Sequence, residues 1–555
     1  MYWLGFILLN ALHFLPNFLI NASNSSILPY WTDLKSGASS GIIASLNQDP
    51  FRYVNELSLL FLMSRWFNLS AWSTYFSWFY FLLLVFNWYQ YLFRRIYETE
   101  PIFYGDIRLL KNGLVIVWHE SPWKVVVFGL LFIGISAGFV QLVEYFFVAS
   151  SKIAPSNALI GLGSIWLLLA VFSTVRLGIY RGYPNDVYNR FHFTTAELLA
   201  NCWRSFQSWS ISLQRIGRQI AEERKGFKMF VTGHPPNVHF IFIESYGSYL
   251  FKDPSIGEEG VELLRQFQTK VQGQGRQMLS HYSTSPTTGG QSWLTYSSFL
   301  YGLKIADNTH FEKYLRDPDF RWAKSILQLF QSAGYLNYNL NPISPIKGIN
   351  VPYDAMREFY SIDHWFLKED LQYQGDVYGF GECPPDQYSL NFALDYILSD
   401  HQGPFTLFYL TKNSHSPFIP PTLVKDWRSL NDTEGKAHIH RGFLAHPKPP
   451  DYLKSIAYEF DVLVEFMSRC DPGDVFLLIG DHQPPILSNP ERFGLETPVH
   501  IVSGHEPFLA QFRNFGFQED LQTTSGNLSH EGLYDLFLQA FAGSFCDPEK
   551  TSVRL

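Results

Sequence analysis

Apolar positions follow two different rhythms along this chain. Up to residue 183 they run in long, nearly uncharged stretches, whereas from 237 onward they come in short bursts that stop at glycine, proline or an acid. The stretches 72–93, 125–148 and 157–180 are each about 20 residues or slightly longer, enough to cross a hydrocarbon core of roughly 30 Å as helices. Residues 2–20 are also apolar, and without a basic start or a small-residue cleavage site at 21–26 they read as a span rather than a signal peptide. Residues 53–69 make a weaker span interrupted by Arg65. The pattern predicts a transmembrane region of about five helices over 1–183. A connecting region follows over 184–236, amphipathic from Phe191 to Ile220 and broken by a solvated Glu222-Glu223-Arg224-Lys225. The remainder, 237–555, reads as one globular domain.

Within that domain each apolar burst ends in residues with chemistry. Asn237 to Ile243, preceded by Pro235-Pro236, runs into Glu244-Ser245. Phe405 to Leu410 runs into Thr411-Lys412-Asn413-Ser414-His415, and Asp474 to Gly480 into Asp481-His482, with Pro484-Pro485 preventing regular structure beyond. Continuous apolar runs of this length suit strands covered on both faces. The predicted class is therefore α/β, an N-terminal transmembrane helical bundle followed by a mainly parallel central sheet flanked by helices. In open α/β sheets ligands bind at the carboxyl ends of the strands. There Asp481 and His482 either bind a metal, orient a base or cap a turn, and Glu244 is either a ligand or a solvated acid.

Ser285-Pro-Thr-Thr-Gly-Gly-Gln-Ser-Trp293 stands before a predicted helix, Leu294 to Leu300, that closes at Tyr301-Gly302. Hydroxyls beside a Gly-Gly pair at a helix start suit a nucleophile facing phosphate oxygens, and equally an ordinary N-cap. A threonine hydroxyl attacks only when a neighbouring base or metal activates it.

Composition narrows the classes. A net charge of −8 leaves no basic footprint for nucleic acid. Aromatic residues make up 17% of the chain and are concentrated before residue 210, as in interfacial belts of membrane helices. Four cysteines without a CxxC are not read as a zinc site or a disulfide scaffold, and form at most one or two bridges.

The order of these pieces resembles the alkaline-phosphatase/sulfatase superfamily, and within it the membrane-anchored branch of lipoteichoic-acid synthases and phosphoethanolamine transferases. The resemblance rests on IFIES at 241–245, SPTTGGQSW at 285–293, TKNSHSPF at 411–418 and LLIGDH at 477–482. It covers about 237–545, and the stretch from Leu533 resembles that fold's closing helix. It implies a divalent metal ion (Mn, Mg or Zn) held by Glu244, Thr287, Asp481 and His482. It also implies a nucleophile at Thr287 or Thr288, Thr287 being favoured, and His415 on the transferred phosphoryl group. Arg357, Trp293 and His505 are further candidate substrate contacts. Two departures stand out. The family threonine sits three residues before a serine, where this chain has Gly289 before Ser292. A Trp and an Arg before an Asp are here Val351 and Tyr353 before Asp354.

The implied activity is transfer of a phospho-head group, phosphoglycerol or phosphoethanolamine in type, from a phospholipid to a glycan or polyol through a phospho-threonine. The alternatives are a phosphodiesterase or sulfatase-like hydrolase with water as acceptor, and a non-catalytic membrane protein. True sulfatases carry Cys-x-Pro-x-Arg, which none of Cys202, Cys383, Cys470 or Cys546 matches. Orientation divides the signals. Arg94, Arg95, Arg108, Lys111 and Lys124 in 94–124 point to the cytoplasm by charge bias. Five spans and the resemblance place that connection and the catalytic domain outside the inner membrane, which is the orientation adopted.

Overall fold

The computed structural model describes residues 70–97, 101–107, 122–151, 194–210 and 222–552, together with isolated positions before 120 and at 219–220. Within the last range 306, 317–319, 321–322, 344–352, 380, 433–437, 441–446, 489 and 522–527 are excepted. The chain forms two compact units, one of residues 1–95 and 100–209, the other of 96–99 and 210–555.

The first unit contains helices α1 (Ser73–Tyr97), α2 (Pro122–Ser151) and α3 (Thr194–Ser210). Among the described residues one helical stretch, Val125–Phe146, is long and apolar enough to cross a membrane. Only 11% of its apolar window is buried, leaving Leu130, Leu131, Phe132, Ile133 and Ile135 exposed as a lipid-facing helix requires. The expected spans at 2–20, 53–69 and 157–180 fall wholly or largely outside the described residues. Helix α1 covers the expected span at 72–93 but buries polar groups: Asn87 donates to the His13 carbonyl at 2.6 Å, and Tyr80 to the Leu9 carbonyl at 3.0 Å. Helix α3, part of the predicted connecting region, packs into this unit. Asn201 donates to the Pro101 carbonyl, and Glu56 accepts from both the N–H and the hydroxyl of Thr195.

The second unit is built on a seven-stranded sheet. In chain order the strands are β1 (Val238–Ile243), β2 (Gln277–Thr284), β3 (Leu336–Leu340), β4 (His364–Phe366), β6 (Phe405–Leu410), β8 (Val475–Gly480) and β9 (Glu496–Ser503); the two-residue β5 (Val377–Tyr378) and β7 (Ile439–His440) pair separately. Spatial order is β2-β9-β8-β1-β6-β3-β4, and only β9 runs against the others. The expected mainly parallel sheet is what forms. Period-two alternation sends Phe240 and Phe242 to one face and Ile241 and Ile243 to the other, and both faces are covered. Helices α5 (Ser292–Tyr301), α6 (Asn308–Arg316), α7 (Ile326–Ser332) and α11 (Gly532–Phe545) contribute to the first core. Helices α4 (Gly257–Gln272), α8 (Asp386–Asp400) and α9 (Pro449–Ser468) contribute to the second.

Arg224, expected in a solvated break, is buried instead. Its guanidinium donates to the Tyr301 carbonyl at 2.5 Å and the Ala323 carbonyl at 3.3 Å, and lies over the Tyr534 ring at 4.1 Å. The C-terminal carbonyls of α5 lack helical partners, and a cation is favoured there.

Candidate active site

Parallel register builds the site. Ile243 pairs with Gly480, so Glu244 and Asp481 leave neighbouring strands at the same level, and the Asp481 N–H donates to the Ile243 carbonyl at 3.2 Å. On the other side of β1, the Glu244 N–H donates to Thr411 Oγ1 at 3.0 Å, which brings the loop after β6 to the same end. Gly480 is required there, because a Cβ would stand 1.9 Å from the Tyr246 carbonyl oxygen. Ser245 turns the chain away with a left-handed φ of 59°, held by a 2.7 Å hydrogen bond from its N–H to Asp481 Oδ1.

The donor atoms of Glu244, Asp481 and His482 all lie within 4.8 Å of one another, and all three side chains are buried. His482 Nε2 is 3.3 Å from Asp481 Oδ2 and 3.5 Å from Glu244 Oε1. Its Nδ1 faces the Gln483 carbonyl at 2.9 Å, a contact that places the proton on Nδ1 and the lone pair on Nε2, toward the carboxylates. Asp481 Oδ1 accepts from the N–H groups of Ser245 and His482, while Oδ2 has no hydrogen-bond partner among the described residues. Two buried carboxylates and an imidazole lone pair facing one another repel unless a cation lies between them. The set of oxygen and nitrogen donors fits Mg, Mn or Zn.

Burial opposes ionisation of Glu244, but positive charge on the His482 and His415 rings, the Ser245 hydroxyl and Lys412 together outweigh it and hold the carboxyl below its usual range; a metal ion taking the place of the His482 proton would act in the same direction. Asp481 is pushed up by burial first and by the neighbouring Glu244 second. A bound cation reverses that second preference.

The hydroxyl brought to this cluster is that of Ser292. It lies 3.3 Å from Glu244 Oε2, to which it donates, and 3.3 Å from His482 Nε2. Ser292 opens α5 after two left-handed residues, Gly290 (φ 63°) and Gln291 (φ 59°). This tight turn aims the first helical side chain, and the helix N-terminus, at the carboxylates' end of the sheet. Thr287, expected as nucleophile and ligand, pairs instead with Thr295 Oγ1 at 3.0 Å. Thr288 is buried in the same turn.

The remaining expected contacts separate. His415 and Lys412 lie on the loop after β6, close enough to act on Glu244, and His415 Nδ1 is 2.7 Å from the Ser416 carbonyl oxygen. Trp293 is partly buried against the core, its indole donating to Asn308 Oδ1 at 2.8 Å. Arg357 is at the wrong end of the sheet: its guanidinium donates to the Asp363 carbonyl at the entry to β4. Together with Asp354, Glu358 and Gln331 it borders an open surface pocket. His505 is also at the wrong end, because β9 is antiparallel and its C-terminus lies beside the start of β8. There it caps helix α10 (Glu506–Asn514), with its ring 4.5 Å from that of Phe545. All four cysteines are free thiols.

No family model matches the sequence, and no curated protein does. Solved structures resemble it at low identity. A protein in the alkaline phosphatase superfamily from Vibrio parahaemolyticus matches at 14% identity over 60% of this chain and 75% of that one, with a TM-score of 0.37. The lipoteichoic acid synthase of Listeria monocytogenes matches at 15% over 59% and 82%, TM-score 0.36. An integral membrane protein, lipooligosaccharide phosphoethanolamine transferase A from Neisseria meningitidis, matches at 12% over 98% and 97%, TM-score 0.48.

Reading by residue type misses Ser292, Ser245 and Lys412. All three stand inside the quoted motifs, so position was available and role was not.

Proposed function

We propose that this chain is a membrane-bound, metal-dependent phosphotransferase with Ser292 as its nucleophile. The observation that carries the reading is the Ser292 hydroxyl, 3.3 Å from both Glu244 and His482 at the N-terminus of a helix. Glu244, Asp481, His482 and the Ser292 hydroxyl would hold a divalent ion, which when bound lowers the hydroxyl's pKa and offsets phosphoryl charge.

Ser292 Oγ, its proton passing to solvent, attacks phosphorus of a phospholipid head group, forming a phosphoserine ester as the bond to the diacylglycerol oxygen breaks and that oxygen takes up a proton. The backbone amides at the start of α5 and the Lys412 ammonium face the phosphoryl oxygens. His415 neutralises the same charge or protonates the leaving oxygen. An acceptor hydroxyl, on a glycan or polyol, then displaces Ser292 and restores it. The apolar helix Val125–Phe146 supports tethering at a bilayer, where the donor lipid resides. The extracytoplasmic orientation belongs to the same proposal. Water in place of the acceptor would make the same site a hydrolase, and no observation favours that arm.

Incubating the full-length protein with head-group-labelled phospholipid and digesting it should yield a labelled peptide containing Ser292. Treatment with EDTA should abolish labelling, and Asp481→Asn should lose both the metal and the label. A label that persists in metal-free protein, or that falls on Thr287, sinks the assignment.

A further inference from the structure

At the opposite pole of the same sheet a second set of ligand-type side chains converges. His239 lies near the start of β1, Asp474 immediately precedes β8, and Cys470 follows α9. Their donor atoms all lie within 4.8 Å of one another, and His239 Nε2 is 3.7 Å from Asp474 Oδ2. His239 is 0% exposed, and among the described residues neither ring nitrogen has a hydrogen-bond partner. The ring stacks on Phe476 at 4.3 Å and meets Phe405 and Phe466 edge-on. A buried donor and acceptor left unsatisfied lose their hydration without any compensating bond.

The surrounding polar groups are committed elsewhere. The Asn237 N–H and side-chain amide donate to Asp474 at 2.9 and 3.4 Å. The Cys470 thiol makes a weak 3.4 Å bond to the Phe466 carbonyl. Arg276 donates to the carbonyls of Cys470 and Asp471 at 2.8 and 3.0 Å, fixing the turn that presents both side chains. Burial keeps the Cys470 thiol protonated, while Asp474 adds to that effect and Arg276 opposes it. A metal that displaces the thiol proton to solvent gains a sulfur ligand.

We propose that His239, Cys470 and Asp474 form a second, structural metal site for a borderline divalent ion such as zinc, joining β1, β8 and the end of α9. The ion takes the His239 Nε2 lone pair, the Cys470 thiolate and an Asp474 oxygen, a nitrogen–sulfur–oxygen set that suits zinc and cobalt and disfavours magnesium. Roughly 16 Å of extended strand separates His239 from Glu244, so the ion takes no part in the chemistry there.

Cobalt distinguishes the two sites, because only this one supplies sulfur. The full chain loaded with Co²⁺ should show a near-ultraviolet thiolate-to-cobalt charge-transfer band. Asp481→Asn should keep the band, which makes the test independent of the proposed activity. Cys470→Ser should lose it, and His239→Gln should bind one metal equivalent fewer by elemental analysis. Absence of the band in the unsubstituted protein, which requires no variant to fold, overturns the proposal. So does its survival in Cys470→Ser.

Discussion

The Ser292 hydroxyl makes two contacts of equal length, 3.3 Å, with an anion and with an imidazole lone pair. Such a group is poised to give up its proton once a cation is present, whereas Thr287 spends its hydroxyl on Thr295. Ser292→Ala should lower transfer by roughly 10³-fold or more, as nucleophile deletions do. Thr287→Ala should stay within about tenfold, the effect of losing about 1 kcal/mol of hydrogen bond near the site. Steady-state transfer assays on both variants decide between them. The carboxylates and His482 were legible in the sequence because each follows an apolar run, and a strand's end is visible as a change of residue type. The hydroxyl that reaches them was not. The sequence points to Thr287 and Thr288, and what brings Ser292 to the carboxylates is a left-handed Gln291, a conformation that residue identity does not announce.

At the scale of elements, the site is a property of strand ends. Gly480→Ala would drive a Cβ to 1.9 Å from the Tyr246 carbonyl and 3.0 Å from Thr497 Cβ, both in packed surroundings. It should cost more than about 3 kcal/mol, the range of severe core defects, and weaken metal binding with it. Gly473→Ala meets only Asp471 Oδ1 at 3.2 Å, and should fall within about 1 kcal/mol in the same denaturation series. Direction explains the elements that sequence reading misplaced. An apolar burst does not reveal which way its strand runs, so the reversal of β9 that carries His505 away from Glu244 is invisible until register is known. Arg224 shows the converse. A run of four charged residues reads as solvent-facing, yet one of them caps α5 from beneath.

For the molecule as a whole, acidity should be a direct lever on stability. His500 is fully buried between Ser280 Oγ at 2.8 Å and the Tyr246 hydroxyl at 3.0 Å, and burial lowers its pKa to about 3. The unfolded chain takes up a proton at this residue near pH 6.5 and the folded chain does not. The contribution is therefore complete above that pH and is lost as pH falls from 6.5 toward 3. That is on the order of 5 kcal/mol. His500→Gln should flatten the acid limb of stability against pH, read by chemical denaturation. Topology has its own test: a membrane-impermeant thiol reagent should label Lys111→Cys in intact cells if 94–124 faces outward. Protection there, and across 230–555, would put the catalytic unit in the cytoplasm. The proposed ligands at 244, 292 and 481–482 are drawn from the ends of β1 and β8 and the start of α5, which converge only in the folded unit. Occupancy by the proposed ion would then be linked to global folding, and at an ion concentration one hundred times Kd the linkage would be worth about 2.7 kcal/mol. Starved of its ion, the protein should become a protease substrate well before any heating unfolds it, so that metal supply would govern its lifetime as well as its turnover.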